Sequence, residues 1–204
     1  MSTHAVHQIA SADFPTRWGK FRIHGFRGEF SSDGNRRVEE AVALVMGDIH
    51  SSAPLVRIHS QCLTGDVFHS LRCDCGQQLE MALSIIAEQG AGILLYEQQE
   101  GRGIGLMAKL QAYELQDSGL DTVEANERLG FKADYREFTL PAEMLKALGV
   151  TQVRLLSNNP DKVEALERAG VKVVERVPCE VEPSAHAKEY IKTKKEKLGH
   201  LFTS

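Results

Sequence analysis

The sequence predicts an α/β fold: a single domain with a mixed β-sheet, helices on both faces in a three-layer α-β-α arrangement, and an N-terminal β-meander. Three observations lead to this prediction. The 204 residues suit one domain of generous size. Two strand-forming stretches flank a turn in the N-terminal part, which is typical of a meander. The C-terminal half alternates strand, helix and strand, which favours parallel neighbours.

The N-terminal half contains most of the predicted strands. Residues 1–12 show no clear period and are expected to form a flexible arm. Residues 13–204 contain no linker or internal repeat and are expected to form the single domain. A turn-rich cluster at 31–35 separates two strand-forming stretches, which predicts the meander. The predicted strands of this half are 21–30, 42–46, 55–59 and 93–96.

Several segments carry apolar residues at helical spacing. Leu79, Leu83 and Ile86 recur every three to four residues, which gives a helix one apolar face. Asn159 and Pro160 supply an N-cap and a proline in the first turn of a later helix. The predicted helices are 77–88, 106–116, 142–148, 158–170 and a charged amphipathic helix at 186–197, and the predicted C-terminal strands are 153–156 and 171–177.

Composition and charge exclude several classes of protein. Lys and Arg number 24 against 28 Asp and Glu, a net charge of −4 that disfavours general nucleic-acid binding. No stretch reaches the roughly 18 apolar residues of a membrane span, and no signal peptide is visible. The four cysteines are too few for a disulfide scaffold. We therefore expect a cytoplasmic protein that binds neither nucleic acid nor membrane.

Three of the cysteines have a spacing that suits a metal. Cys62, Cys73 and Cys75 form a C-x10-C-x-C pattern, and thiolates are ligands that zinc prefers. Three protein ligands leave a fourth position for water, as in catalytic zinc sites. Arg72 could help to keep the thiolates charged, and ordinary buried thiols are the alternative interpretation. Cys179 is interpreted as a free structural thiol, although as a fourth ligand it would close the site.

Residues suited to phosphate binding follow two predicted strands. The glycines at 100–105 would let the backbone approach a ligand, and Arg102 offers a bidentate donor. Ser157 and Lys162 flank a helix N-terminus at the carboxyl end of a strand, where open α/β sheets bind ligands. A solvated turn and plain N-capping are the alternatives for these two segments.

Four further residues carry chemistry that a site could use. Asp134 and Arg136 point the same way on an extended segment, as a base and an anion clamp or as a surface ion pair. Tyr113 lies in a predicted helix, where a tyrosine packed in the core is the alternative. His59 lies just before the segment that carries the three cysteines, residues 62–75, which we call the thiol loop. It is interpreted as a metal ligand, as a hydrogen-bond donor to a ligand, or as a packed strand histidine.

Taken together, these segments resemble GTP cyclohydrolase II. The resemblance runs from about Phe14 to Phe202 and depends on ordered strings rather than on any single motif. The strings are residues 57–66, 70–76, 100–106, 115–117, 121–126, 157–160 and 193–200. The resemblance implies a single catalytic domain over residues 13–204.

The resemblance implies conversion of GTP into 2,5-diamino-6-ribosylamino-4(3H)-pyrimidinone 5′-phosphate, formate and diphosphate, the first committed step of riboflavin biosynthesis. It implies a homodimer, one catalytic zinc per subunit on Cys62, Cys73 and Cys75, and magnesium with the triphosphate. The implied nucleotide site consists of Arg57, Ile58, His59, Ser60, Gln61, Gln78, Glu100, Gly101, Arg102, Thr122, Ser157 and Lys162.

The resemblance also implies catalytic roles. Asp134 is the implied proton acceptor, Arg136 the implied nucleophile at the α-phosphorus, and Tyr113 is tied to completing the ring-opening chemistry. Because a guanidinium stays protonated, clamping the α-phosphate is an alternative role for Arg136. Gln61 stands where the family usually has Glu, and Ser157 where Thr is common. The alternatives are a variant that opens the ring but retains the formyl group, and a non-catalytic, zinc-stabilised nucleotide-binding regulatory protein.

Overall fold

A seven-stranded mixed sheet forms the centre of the fold. The computed structural model describes residues 3–32, 35–132, 134–182, 184, 187–197 and 199–202. The strands are β1 (Thr3–Thr16), β2 (Gly19–Ser32), β3 (Asn35–Met46), β4 (Leu55–Ser60), β5 (Gly92–Glu97), β6 (Gln152–Leu156) and β7 (Lys172–Val177). They lie in the order β1-β2-β3-β5-β4-β6-β7.

The sheet joins an antiparallel half to a parallel half. Strands β1, β2 and β3 are antiparallel neighbours, and β3 pairs antiparallel with β5, which confirms the predicted meander. Strands β5, β4, β6 and β7 run parallel to one another. Parallel neighbours need a crossover connection, and every described helix except the last lies between two of these strands in the chain.

The N-terminal segment differs from the sequence expectation of a flexible arm over residues 1–12. Residues from Thr3 onward belong to β1, which pairs with β2 from Thr3↔Ser31 to Thr16↔Gly19. Most side chains of β1 are exposed, so its sequence shows no alternation of apolar and polar residues that would predict a strand. The hydrogen bonds to β2 hold this strand, and such pairing is invisible in the local sequence. Residues 1 and 2 lie outside the described residues.

The helices agree with the predicted ones within a few residues, apart from two short additions. The helices are α1 (Leu63–Asp66), α2 (Cys75–Gln89), α3 (Leu106–Asp117), α4 (Thr122–Arg128), α5 (Thr139–Ala147), α6 (Pro160–Arg168) and α7 (Lys188–Lys197). The sequence did not predict α1 and α4, which are too short to show a repeating period. The predicted start of the last helix at His186 lies outside the described residues. No helix in the described ranges is long and apolar enough to cross a bilayer.

Helices cover both faces of the sheet, which confirms the predicted three-layer architecture. On one face, Leu140 and Met144 of α5 and Leu166 of α6 belong to the apolar cluster that contains Ile58. On the other face, Ile86 of α2 belongs to a second cluster with residues of β4, β5 and β6. Because β4, β5 and β6 run parallel, their carboxyl ends lie at the same edge of the sheet. Ligands bind at this edge in open α/β folds.

Candidate active site

Three thiols meet where α1 and α2 begin. Cys62 is the N-cap of α1, Cys75 is the first residue of α2, and Cys73 lies two residues before it. The three sulfur atoms lie within 4.8 Å of one another, and 3.7 Å separates those of Cys62 and Cys73. Cys179 is fully buried and does not belong to this group. The geometry therefore favours the interpretation of three ligands with an open fourth position.

The chemistry of the three thiols fits a soft divalent cation. The hydrogen bond with the Cys62 sulfur raises the pKa of Cys73 to about 11, and contacts with both other sulfurs raise the pKa of half-buried Cys75. Neighbouring thiolates repel one another, so a bound cation is what would let all three ionise together. Zinc accepts such a thiolate set with a fourth position open.

Two glycines let α1 and α2 approach closely enough to bring the thiols together. A Cβ at Gly76 would lie 2.3 Å from the carbonyl oxygen of Gly65. We expect Gly76→Ala to push α1 away from α2 and to lower zinc affinity by about 10–100-fold, the range found when support of metal ligands is altered. Metal titration followed by a chelating dye measures the affinity.

Gly25→Ala is the matched control for Gly76→Ala. A Cβ at Gly25 would meet no described atom within 4 Å, so this variant is expected to keep the zinc affinity. If Gly76→Ala bound zinc as tightly as Gly25→Ala, the close approach of α1 and α2 would not govern the thiol geometry.

Lys109 of α3 is a site residue that the sequence reasoning missed. Its Nζ donates hydrogen bonds to Cys62 Sγ at 3.2 Å, to Thr64 Oγ1 at 2.9 Å and to Glu100 Oε1 at 2.8 Å. Lys109, rather than Arg72, thus supplies the positive charge beside the thiols, because Arg72 pairs with Asp117. The spacing of four residues puts Lys109 on the same helix face as Tyr113, but the sequence does not show what that face contacts.

His59 supports the thiol loop from behind. Its Nε2 lies 3.1 Å from both carboxylate oxygens of Asp66, and Asp66 Oδ2 accepts a hydrogen bond from the Cys62 backbone N–H at 3.0 Å. The His59 ring stacks on Tyr96 with centroids 5.5 Å apart. Burial lowers the pKa of His59, so the ring stays neutral over most of the physiological range. The geometry favours a packed strand histidine that orients the carboxylate behind a ligand.

Two adjoining cavities open beside the thiols. The first, of about 670 Å³, is the thiol cavity. Of the predicted site residues, it is lined by Ser60, Gln61, Cys62, Cys73, Cys75, Glu100, Gly101, Arg102, Tyr113, Thr122 and Arg136. The second, of about 570 Å³, is the cationic cavity. Of the predicted site residues, it is lined by Arg57, His59, Ser60, Cys75, Gln78, Arg102, Arg136, Ser157 and Lys162.

Two predicted residues stand apart from these walls. The Ile58 side chain is fully buried in the core, and its carbonyl oxygen accepts a hydrogen bond from Lys162 Nζ at 2.8 Å. Asp134 lies behind Arg136, whose Nε donates to both Asp134 carboxylate oxygens at 3.0 Å. Tyr190 of α7 lines both cavities and was not predicted as a site residue.

Buried positive charge distinguishes the cationic cavity. Arg57 and Lys162 are 6% and 4% exposed, and Arg57 donates to Gln78 Oε1 at 2.8 Å. Burial and the neighbouring Arg57 and Arg136 lower the pKa of Lys162, so its ammonium form would be favoured by an anion bound in the cavity. Among the described residues, Nη1 and Nη2 of Arg102 are buried without a hydrogen-bond partner. Buried donors normally have partners, so this cavity is suited to an anionic ligand.

Arg102, which lines both cavities, has a strained backbone. Arg102 has a φ of 59° and follows Gly101 with a φ of 61°, inside the 3-10 turn Glu100–Gly103. A positive φ costs a residue with a side chain about 1 kcal/mol or more, and such strain clusters at functional sites. The Arg102 carbonyl accepts a hydrogen bond from the Tyr135 N–H at 3.0 Å, which fixes the turn.

Arg136 and Asp134 form a half-buried ion pair, with side chains 12% and 25% exposed. Burial lowers the pKa of Arg136, but the hydrogen bond and charge of Asp134 outweigh this effect and raise it. Burial likewise raises the pKa of Asp134, and Arg136 outweighs that effect and lowers it. Both groups therefore stay charged at neutral pH, with Arg136 as a fixed cation at the junction of the two cavities.

Glu97, at the end of β5, gives the fold a dependence on pH. Burial raises the pKa of its carboxyl to about 7, against an ordinary value of 4.5. Because the folded chain holds this proton more tightly, the stabilising contribution is full below about pH 4.5 and is lost as the pH rises through about 7. Over this pH interval the free energy of unfolding of the wild type is expected to fall. Its loss should exceed the loss in Glu97→Gln by on the order of 3 kcal/mol.

Urea unfolding of the wild type and of Glu97→Gln at several pH values measures this difference. The two curves are expected to diverge as the pH rises, with the wild type losing more stability. Parallel curves would contradict the assignment of a raised pKa to Glu97.

The fold and the site together define a class of protein: an α/β protein in which three thiols that could hold a metal ion lie beside a cavity lined by cationic side chains. The sequence model of one family, GTP cyclohydrolase II, matches residues 7–178. The chain belongs to the GTP cyclohydrolase II family and is an enzyme of this type.

Relatives with similar sequences support this membership. GTP cyclohydrolase-2 from Escherichia coli O9:H4 (strain HS) is 57% identical over 198 residues, which cover 97% of this chain and 98% of the relative. The protein of the same name from Shigella boydii serotype 18 gives the same values.

A solved structure, RibBX, a two-domain 3,4-dihydroxy-2-butanone 4-phosphate synthase from A. baumannii, is 19% identical with a TM-score of 0.36. The match covers 74% of this chain and only 34% of that one.

Proposed function

We propose that the chain opens the imidazole ring of GTP at the thiol site, releasing formate and diphosphate and leaving 2,5-diamino-6-ribosylamino-4(3H)-pyrimidinone 5′-phosphate. Hydrolysis of GTP in riboflavin biosynthesis is the activity of its family. The observation that carries the proposal is the junction of the two cavities: the thiols lie in one, and the buried cations line the other. One nucleotide could thus place its base near the thiols and its phosphates among the cations.

The cationic cavity is proposed to bind the phosphates. Arg57, Arg102 and Lys162 bring buried positive charge to it, and Arg102 has two partnerless NH groups among the described residues. Asn159 caps α6, and its side chain accepts from the Asp161 N–H, so the N-terminus of a nine-residue helix lies at the same place. A helix N-terminus favours an anion, which adds to the side-chain charges.

Cys62, Cys73 and Cys75 are proposed to hold a catalytic zinc. Zinc lowers the pKa of a water that it binds to about 7 and so supplies a nucleophile at neutral pH. Gln61, which also lines the thiol cavity, is proposed to orient the base. The Tyr113 hydroxyl lies 3.2 Å from Thr64 Oγ1, which itself lies 3.6 Å from Cys62 Sγ. On the basis of these contacts, Tyr113 is proposed to hold or pass a proton next to the thiols.

Arg136 is proposed to clamp the α-phosphate rather than to attack it. The Asp134 carboxylate keeps the guanidinium protonated, and a protonated guanidinium is a poor nucleophile. Asp134 is proposed to hold Arg136 in place, and its low pKa makes it a weak base. Charge on Arg102, Arg136 and Lys162, with magnesium on the triphosphate, would offset the charge that develops during phosphoryl cleavage.

The remaining expectations are part of the same proposal. All four cysteines are free thiols, which is typical of a reducing compartment such as the cytoplasm. The homodimer is carried over from the family resemblance. Sedimentation at micromolar concentration tests it, with a dimer expected at about twice the chain mass of 22.6 kDa.

One assay separates this function from its alternatives. The purified chain is incubated with GTP, zinc and magnesium, and formate, diphosphate and the pyrimidine product are quantified. The proposal predicts all three in equal amounts. Diphosphate without formate would identify the variant that retains the formyl group, and GTP binding without turnover would identify a regulatory protein.

A further inference from the structure

The C-terminal helix α7 lies across the junction of the two cavities. Tyr190 lines both of them, and Lys194 lines the cationic cavity. The family model matches only residues 7–178, so α7 lies beyond the matched part of the chain. None of the residues proposed above to bind the nucleotide lies on this helix.

Helix α7 is tied to the site by buried polar contacts. Lys194 Nζ donates to Asp74 Oδ1 at 2.6 Å, and both residues are buried. Asp74 lies between the two ligand candidates Cys73 and Cys75. After the helix, the Leu201 N–H donates to the Asn158 carbonyl at 2.8 Å, next to the N-terminus of α6. The segment is thereby fastened at the thiol loop and at the phosphate side.

The Tyr190 ring contacts two cations. Lys194 Nζ, one turn later on α7, lies 4.6 Å from the ring centroid, and Arg102 Cζ lies 5.6 Å from it. Both distances fall within the roughly 6 Å at which a cation is attracted to an aromatic face. Because the two terminal nitrogens of Arg102 have no hydrogen-bond partner among the described residues, the ring is a contact that can fix the direction of this guanidinium.

We propose that Tyr190 is a positioning residue for phosphate binding: its ring holds the Arg102 guanidinium at the junction of the cavities, ready for the triphosphate of the substrate. The inference deepens the proposed function and rests on it for the identity of the ligand. Positioning lowers the cost of ordering a long side chain when the ligand binds. Lys194 and Asp74 in turn fix the ring by fastening α7 to the thiol loop.

The test compares two halves of the substrate. Binding of inorganic triphosphate and of guanosine to the zinc-loaded protein is measured by calorimetry for the wild type, Tyr190→Leu and Tyr190→Phe. We expect Tyr190→Leu to weaken triphosphate binding about tenfold, from the cation–π range, and to leave guanosine within about twofold. Tyr190→Phe keeps the ring and is expected to keep both affinities. Equal losses for both ligands, or no loss for triphosphate, would overturn the proposal.

A double-mutant cycle separates positioning from general packing. In an Arg102→Met background, Tyr190→Leu is expected to cause no further loss of triphosphate affinity beyond about twofold, because the group that it positions is gone. A full tenfold loss in that background would overturn the proposal. Lys192→Ala, on the exposed side of α7, is the control and is expected to bind both ligands as the wild type does.

The outcome is separable from the proposed function. A chain that binds triphosphate in a Tyr190-dependent manner but does not turn over GTP would contradict the proposed function and leave this inference standing. A chain that turns over GTP while Tyr190→Leu binds triphosphate normally would overturn this inference alone.

Discussion

Cys73→Ser is expected to remove bound zinc and formate release together. A serine hydroxyl is a far weaker zinc ligand than a thiolate, and with two sulfurs left the site loses the three-ligand set. The sulfurs of the three candidate ligands lie within 4.8 Å of one another, close enough to bind the same ion. We expect less than about 0.1 zinc per chain, and formate formation reduced by at least about 10³-fold, the order of several kcal/mol of lost metal assistance. Elemental analysis and a formate assay on the same sample measure both quantities.

The fourth cysteine provides the matched control. Cys179 is fully buried but outside the thiol group, so Cys179→Ala is expected to keep its zinc and its formate release, at some cost in stability. Formate release that survives in Cys73→Ser would remove the thiol site from the reaction. Zinc loss in Cys179→Ala as large as in Cys73→Ser would show that the metal is held elsewhere.

Arg136→Met is expected to lower diphosphate release by about 10²–10³-fold, the usual cost of deleting one donor that stabilises developing charge. Asp134 fixes the guanidinium at the junction of the cavities. If Arg136 clamps the α-phosphate as proposed, its removal leaves that phosphate without a fixed donor. Arg136→Lys keeps the charge but not the paired donors, and is expected to retain measurable diphosphate release. Quantifying diphosphate at saturating GTP, beside GTP affinity, measures the effect.

The comparison of the two substitutions decides between clamp and nucleophile. If Arg136→Lys lost all phosphoryl cleavage while GTP still bound, a simple charge clamp would be contradicted. Arg128→Met, at an exposed position of α4, serves as the control for loss of an arginine and is expected to act as the wild type does.

The parts of the fold that carry their own hydrophobic pattern were predictable from sequence. The period of Leu79, Leu83 and Ile86 and the apolar run of β5 reflect burial of α2 and β5 in the core. Strand β1 has no such pattern, because its stability depends on hydrogen bonds to β2 rather than on burial of its side chains. Helix α4 is too short to show a repeating apolar pattern. Its capping box, Asp121 with Glu124, is the one local signal of its start that the sequence contains.

The candidate site was predictable where its residues are close in sequence. Cys62, Cys73 and Cys75 lie within one short segment, so their spacing indicated a metal site. Lys109 reaches Cys62 across 47 positions, and Tyr190 reaches Arg102 from the last helix. Such contacts depend on how the elements pack, and no local pattern specifies that packing. The family resemblance named substrate-site positions, but it could not show that the Ile58 side chain points into the core.

The central claim is that the thiol site and the cationic cavity act on one GTP molecule. The most direct measurement is to strip zinc from the wild-type chain with a chelator, restore it stepwise, and follow formate release from GTP against zinc bound per chain. We predict that formate release rises in proportion to zinc and reaches its plateau at one zinc per chain, with one formate for each GTP consumed. Formate release that does not depend on bound zinc would contradict the claim.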